Sequence, residues 1–210
     1  RRVEHDARDR RIAAAMAGFT GDLDTAAAAL HDPDHKVRAA ALRSSDRLEN
    51  LTAEMLSSAL QDLHPFVRMA ALELAASRSS PPVAALLDDS DVRVIEQAAW
   101  ACGERPHDSV VTTRLAELAQ THDDPLVREA AVAALGAIGH EDGLPAILAA
   151  SSDKPAVRRR AVLSLAAFEG PSVDAAWKRA RNDRDRQVRD AVDELLGPAT
   201  IDDPVDLGRS

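Results

Sequence analysis

The dipeptide Val-Arg recurs at Val37-Arg38, Val67-Arg68, Val92-Arg93, Val127-Arg128, Val157-Arg158 and Val188-Arg189, with successive separations of 30, 25, 35, 30 and 31 residues. A chain that restates one pattern at such a period builds an array of similar units, because each unit can bury its apolar face only against a neighbour. The context repeats along with the dipeptide. An acidic turn precedes each copy (HDPDHKVR, QDLHPFVR, DDSDVR, HDDPLVR, SDKPAVR, NDRDRQVR), and an Ala-rich stretch follows, most regular in VREAAVAALGAIG at 127–139.

The period inside a unit is helical. Val127, Ala130, Ala131, Ala134, Leu135 and Ile138 recur at steps of three and four, which puts them on one face of a helix. A second helical stretch precedes each turn, for example 51–60, 110–121 and 143–150, so the unit is helix A, tight turn, helix B. Asp32 before Pro33 and Asp124 before Pro125 place a capping carboxylate ahead of a proline at the first helical position, with Pro65 and Pro155 in similar places. Gly103, Gly139, Gly170 and Gly197 follow B helices, where a left-handed closing residue is favoured. The pattern predicts one repeat domain over 1–197: a capping helix in 1–20, about six helix pairs over 21–197, and a loose tail at 198–210. The chain begins at Arg1 and not Met, which leaves open that it is cut from a larger protein.

Composition agrees with packed helices and restricts the function classes. Apolar residues make up 45% of the chain but aromatic ones only 2%, so Ala, Leu and Val carry the core. Small residues let helices approach closely and Ala is the best helix former, whereas sheets favour aromatic and β-branched residues. The net charge of −9 opposes broad nucleic-acid binding, which needs an excess of Lys and Arg. A single cysteine, Cys102, allows no internal disulfide and suits a reducing, cytoplasmic setting. No apolar run is long enough to span a bilayer.

The units resemble HEAT repeats, specifically the short HEAT-like repeats of about thirty residues also found in phycobilin lyases, since the ordinary HEAT length is roughly 40–47 residues. The resemblance runs over about 22–196. It implies an all-α fold, a right-handed α-solenoid (α-α superhelix) of helix-turn-helix repeats. It also implies a structural ladder in which turn carboxylates meet helix-B arginines of neighbouring units. On this chain the arginines are Arg38, Arg68, Arg93, Arg128, Arg158 and Arg189, and the acids Asp32, Asp62, Asp89, Asp124, Asp153 and Asp183. The Asp-to-Arg offset varies from four to six residues, so the partner in each rung stays open.

Departures from the pattern are candidates for function. Aligning the third unit with the fourth puts Glu96 where Ala131 stands and Trp100 where Leu135 stands. Glu96 is then either solvated or in a polar groove, and Trp100 either core filler or an exposed anchor. Arg160 replaces the small residue seen at Ala130 and joins Arg158 and Arg159 in a basic run. Residues 153–190 hold ten basic and six acidic side chains in a chain of −9, so an acidic or phosphorylated ligand could dock there. His31, His64 and His122 lie in turns that stacking could align, a weak metal signal, and no metal or other cofactor is expected.

These readings converge on a protein–protein interaction scaffold. The expected partner is a protein or peptide held on a concave helix-B face by Arg43, Glu73, Glu96, Gln97, Trp100, Glu129, Arg159, Arg160 and Asp190. Nucleic acid and membrane are not expected partners. The alternatives are a HEAT-like enzyme, of the chromophore-lyase or DNA base-excision type, and a regulatory module of a larger protein. A base-excising enzyme would want a basic groove with aromatic side chains, which this composition fits poorly. No catalytic residues are assigned.

Overall fold

The computed structural model describes residues 2–197, with side chains from Asp6 onward; the segment expected as a tail, 198–210, lies outside the described residues. Among the described residues there are twelve α-helices, three short 3-10 turns and no strand. The chain is an α-solenoid of paired helices, and its contacts divide it into two compact units, Arg1–Val111 and Thr112–Ser210.

The first unit contains α1 (Arg2–Thr20), α2 (Leu23–Ala29), α3 (His35–Arg47), α4 (Ala53–Leu60), α5 (Pro65–Ala75), a 3-10 turn (Ala84–Asp88) and α6 (Val92–Gly103). The B helices pack in series, α1 on α3, α3 on α5 and α5 on α6, with α2, α4 and the 3-10 turn against them as A elements. Their seam is built from Ala14, Val37, Ala41, Leu42, Val67, Ala71, Leu72, Val94 and Ala98, all with at most 2% of their surface exposed. Each fully buried Val or Leu stabilises the stack by roughly 1.5–3 kcal/mol, and the intervening alanines set how closely the helices approach.

In the second unit α7 (Ser109–Thr121) leads into α8 (Pro125–Ile138), α9 (Leu144–Ala150), α10 (Pro155–Ser164), α11 (Pro171–Arg181) and α12 (Arg186–Leu196), with 3-10 turns at Glu141–Gly143 and Leu165–Ala167. Helix α10 packs between α8 and α12. Val162, Ala180, Val188, Ala191 and Val192 form a buried cluster against which Leu163 and Trp177 pack.

Several local expectations change. The third A element is a single 3-10 turn, because Ser79-Ser80-Pro81-Pro82 leaves too few residues for an α-helix. Asp32 does not cap α3. The cap is Asp34, whose carboxylate accepts from Lys36 N and Val37 N. Asp124 does cap α8, with Pro125 in the first turn. Of the four glycines expected to close B helices, Gly139 does so in the left-handed conformation (φ 65°), while Gly103 is still within α6.

Helix α1 shares the register of the other B helices. Its Arg10 holds the place of Arg38. Eight residues on, Gly18 faces Ser44 so closely that an added Cβ would lie 2.9 Å from the Ser44 Cα, and Ser44 Oγ donates to Ala14 O at 2.6 Å. The same arrangement recurs in the second unit at Gly136 and Ser164, with Ser164 Oγ donating to Val132 O at 3.1 Å.

Candidate functional site

Each turn before a B helix uses two positions, two residues apart. The first is Asp32, Asp62, Asp89, His122, Asp153 or Asp183. In five of the turns the second is Asp34, His64, Asp91, Asp124 or Asp185, and it caps its own helix. Pro155 follows Lys154 in the remaining turn, where no side chain caps α10. The first residue accepts the N–H of the second, as in His64 N to Asp62 Oδ1 at 2.8 Å and Asp124 N to His122 Nδ1 at 3.1 Å.

The first position also receives the arginine of the preceding B helix. Arg38 donates from Nε and Nη2 to the Asp62 carboxylate at 2.7 Å each, while its Nη1 reaches back to Asp32 O at 2.8 Å. The forked geometry repeats for Arg68 on Asp89 (2.7 Å), Arg128 on Asp153 (2.6 and 2.8 Å) and Arg158 on Asp183 (2.8 and 2.7 Å). A planar guanidinium can bind a carboxylate through two parallel hydrogen bonds and still have a donor for a carbonyl. Arg10 makes the same pair with Asp32 at 2.6 and 3.2 Å, a rung that the Val-Arg pattern misses because Asp9 precedes this arginine.

Two rungs depart from the series. Arg93 folds back onto Asp91 of its own turn at 3.0 and 2.7 Å, and among the described residues Arg189 donates to the Asp183 carbonyl, at 2.6 Å. Asp124, expected as a rung acid, is a helix cap, and His122 stands at the rung position of its turn.

Arg10, Arg38, Arg128 and Arg158 favour the ionised form of the carboxylates they bind. Hydrogen bonds from Arg10, Arg128 and Arg158 lower the pKa of Asp32, Asp153 and Asp183, against the opposing effect of partial burial. At Asp62 burial opposes ionisation most strongly, but hydrogen bonds from Arg38 and the His64 amide outweigh it. Asp91 is lowered to about 2, chiefly by the Arg93 hydrogen bond.

The residues expected on the B-helix face are distributed unevenly. Arg43 and Glu73, from α3 and α5, form an exposed ion pair at 2.8 Å. Glu96 and Gln97 are half-buried on α6, and Trp100 is 43% exposed one turn beyond Glu96, so it does not fill the core. In the second unit Arg160 Nε lies 3.6 Å from Glu129 Oε1, across α8 and α10. Arg186 pairs with Asp190 at 3.3 Å within α12. The basic run at 158–160 is therefore divided: Arg158 belongs to the ladder, Arg160 faces Glu129, and Arg159 is half-buried between them.

A groove that sequence patterning did not reveal lies between α1, α3 and α5 of the first unit. It encloses about 470 Å³ and is lined by Arg11, Ile12 and Phe19 of α1, by Lys36, Arg43 and Arg47 of α3, and by Phe66 of α5. Phe19 is 69% exposed, with the Arg47 guanidinium 4.0 Å above its ring. At one edge His35 and His64 stack at 3.5 Å between ring centroids, and Phe66 meets His35 edge-on at 5.8 Å. Only Arg43 of this set was expected. Ile12 and Phe19 stand two and nine residues after Arg10, and Arg43 and Arg47 five and nine after Arg38, a register that could have located those four, whereas Arg11, Lys36 and Phe66 lie outside it. Cys102 is buried, and burial pushes its thiol up to about 11, which leaves it a packing residue.

The repeats match HEAT repeats over residues 79–153 and 112–197, which together span more than half of the chain. This chain belongs to the HEAT repeat family. No curated protein matches it. Among solved structures, a designed armadillo repeat protein in complex with the peptide (KR)4 is similar at 18% identity, with a TM-score of 0.61, covering 83% of this chain and 98% of that one. Human deoxyhypusine hydroxylase in complex with glycerol aligns at 19% identity with a TM-score of 0.47, over 89% of this chain and 77% of the other. The likeness to the designed armadillo protein concerns the fold alone. No helix among the described residues is long and apolar enough to cross a membrane.

Proposed function

We propose that this HEAT repeat protein is a protein-binding scaffold whose partner lies on the helix-B face. The observation that carries the reading is the open groove on α1, α3 and α5, where Phe19, Ile12 and Phe66 stay exposed among basic side chains while the ladder clamps the turn side of the same helices. A surface that leaves large apolar groups in water beside a rigid frame is suited to association, since little further ordering is needed on binding. The similar designed armadillo protein, which is in complex with a peptide, supports the same use of the fold. Repeat separations of 25 to 35 residues support the short HEAT-like subtype, and a lone, buried cysteine supports a reducing, cytoplasmic setting.

The test is cross-linking of the purified protein to its partner, identified by mass spectrometry, with Glu73→Lys and Arg159→Glu as variants. Loss of the same identified partner in either variant is the expected result. A partner captured equally by both variants would overturn the assignment to this face.

A further inference from the structure

We propose that the groove between α1, α3 and α5 docks an acidic peptide segment of a partner protein, anchored by a large apolar side chain; this deepens the scaffold reading and rests on it.

The first reason is where the chain exposes its scarce aromatic residues. It has three phenylalanines and no tyrosine. Phe168 is buried, at 7% exposure, whereas Phe19 (69%) and Phe66 (39%) both line this one groove, together with Ile12 at 47%. Leu42, Leu72 and Phe168 show that the core accommodates large side chains, so those left in water on one wall form an apolar floor that a partner's side chain can cover.

The second reason is charge. The chain carries −9, yet Arg11, Lys36, Arg43 and Arg47 line the groove and none of its lining residues is acidic. Arg43 is shared with Glu73 at the rim, and Arg47 lies flat on Phe19, where its stem and face present both apolar surface and charge. Carboxylates spaced along a short peptide would meet these cations while its aromatic or aliphatic residue covers Phe19 and Phe66. A long polyanion such as nucleic acid would have to approach against the field of the whole acidic protein, and the apolar floor would add nothing for its phosphates. The basic lining also opposes a cationic ligand such as the (KR)4 peptide of the similar armadillo protein.

The experiment is fluorescence polarisation on the full chain with a labelled peptide of Asp and Glu interspersed with Leu and Phe. A (KR)4 peptide and a single-stranded oligonucleotide of matched length serve as competitors. The acidic peptide is expected to bind, and to weaken as salt is raised through about 0.15 M. Phe19→Ala with Phe66→Ala should reduce affinity about tenfold or more, and Lys36→Glu with Arg47→Glu by a similar factor. The charge-reversed protein should gain affinity for (KR)4 by more than a protein with the same two reversals at Lys178 and Arg179, outside the groove, which carries an equal net charge. Arg179→Glu, exposed on α11 and outside the groove, should leave the peptide affinity unchanged.

Equal affinity in wild type and both groove variants would overturn the proposal, as would displacement of the peptide by the oligonucleotide in preference to unlabelled peptide. A concentration-dependent dimer that Phe19→Asp disperses, with no peptide binding, would give the groove to a second copy instead. Failure of the peptide while an identified partner is still lost on Arg159→Glu would remove the groove and leave the scaffold reading. Failure of both would remove the two together.

Discussion

Arg158 and Asp183 face each other across two turns of the second unit, joined by hydrogen bonds of 2.8 and 2.7 Å, with only 7% and 14% of their side chains exposed. Arg93 and Asp91 form a pair of similar length, but within one turn and with the arginine side chain 67% exposed. The first pair ties α10 to the turn before α12, whereas the second adds nothing beyond its own turn.

Removing Arg158 should therefore be severe. Arg158→Ala strands the Asp183 carboxylate and leaves the Asp153 carbonyl without its 2.8 Å donor, at a cost of about 3–5 kcal/mol. Urea unfolding followed through Trp177, which packs against the core beside α12, should show a large drop in midpoint. Arg93→Ala should leave the midpoint nearly unchanged, as exposed pairs contribute little. Equal effects for the two would mean that the forked pairs do not hold the stack.

Acid should weaken the protein through the same carboxylates. Asp32, Asp62, Asp153 and Asp183 all have pKa values lowered from the usual 3.8, so the unfolded chain takes up protons more readily than the folded one. Their stabilisation is fully present above the ordinary carboxylate range and is lost as pH falls through and below it. Beyond the shallow decline that a depressed histidine gives below pH 6.5, urea midpoints should fall steeply below about pH 4. Asp183→Asn should start lower at neutral pH and show a shallower fall.

How much of this could be read from sequence depended on the kind of signal. The B helices and the arginines Arg38, Arg68, Arg128 and Arg158 stood out because Val-Arg recurs with an Ala-rich helix behind it, but Val92-Arg93 is a false copy: Asp91 caps α6, so Val94 and Ile95 hold the places of Val37 and Arg38. The rung partners did not stand out. Asp32 and Asp34, or Asp89 and Asp91, look equivalent in a row of acids, and only the fold shows that one takes an arginine while the other caps a helix. Arg10 escaped for the opposite reason, standing in register without the valine. The groove draws its residues from α1, α3 and α5, and the register shared by Phe19 and Arg47 becomes visible only once Arg10 is known to stand with Arg38, while Phe66 lies outside it.

The stacked histidines should make the fold sensitive to mild acid. The His35 ring lies on His64 at 3.5 Å between centroids. The pKa of His35 is lowered from 6.5, first by burial and then by His64, with Lys36 and Arg38 acting in the same direction and Asp34 against them. A depressed histidine gives stability that is whole above pH 6.5 and is lost as pH falls below it, because protonation favours the unfolded state. Urea midpoints should therefore begin a shallow decline below about pH 6.5. His35→Asn removes the ionisable ring and should abolish that decline; its persistence in the variant would rule out His35 as its source.

Close approach of α8 and α10 rests on one missing side chain. A Cβ at Gly136 would lie 2.5 Å from Ser164 Cβ and 2.9 Å from its Cα, so the added methyl meets backbone as well as side chain and cannot be relieved by a rotamer change. Gly136→Ala would raise helix propensity by roughly 1 kcal/mol on an open helix. Here it should destabilise instead, by about 1–3 kcal/mol, as the helices are pushed apart and the bond from Ser164 Oγ to Val132 O is stretched. Ser164→Ala leaves the Cβ in place and should not rescue the variant, whereas Ser164→Gly removes the 2.5 Å contact while the 2.9 Å one to Cα stays, and should recover part of the loss. Thermal unfolding of the three variants separates the outcomes, and a stabilised Gly136→Ala would show that these two helices have more room between them than the packing allows.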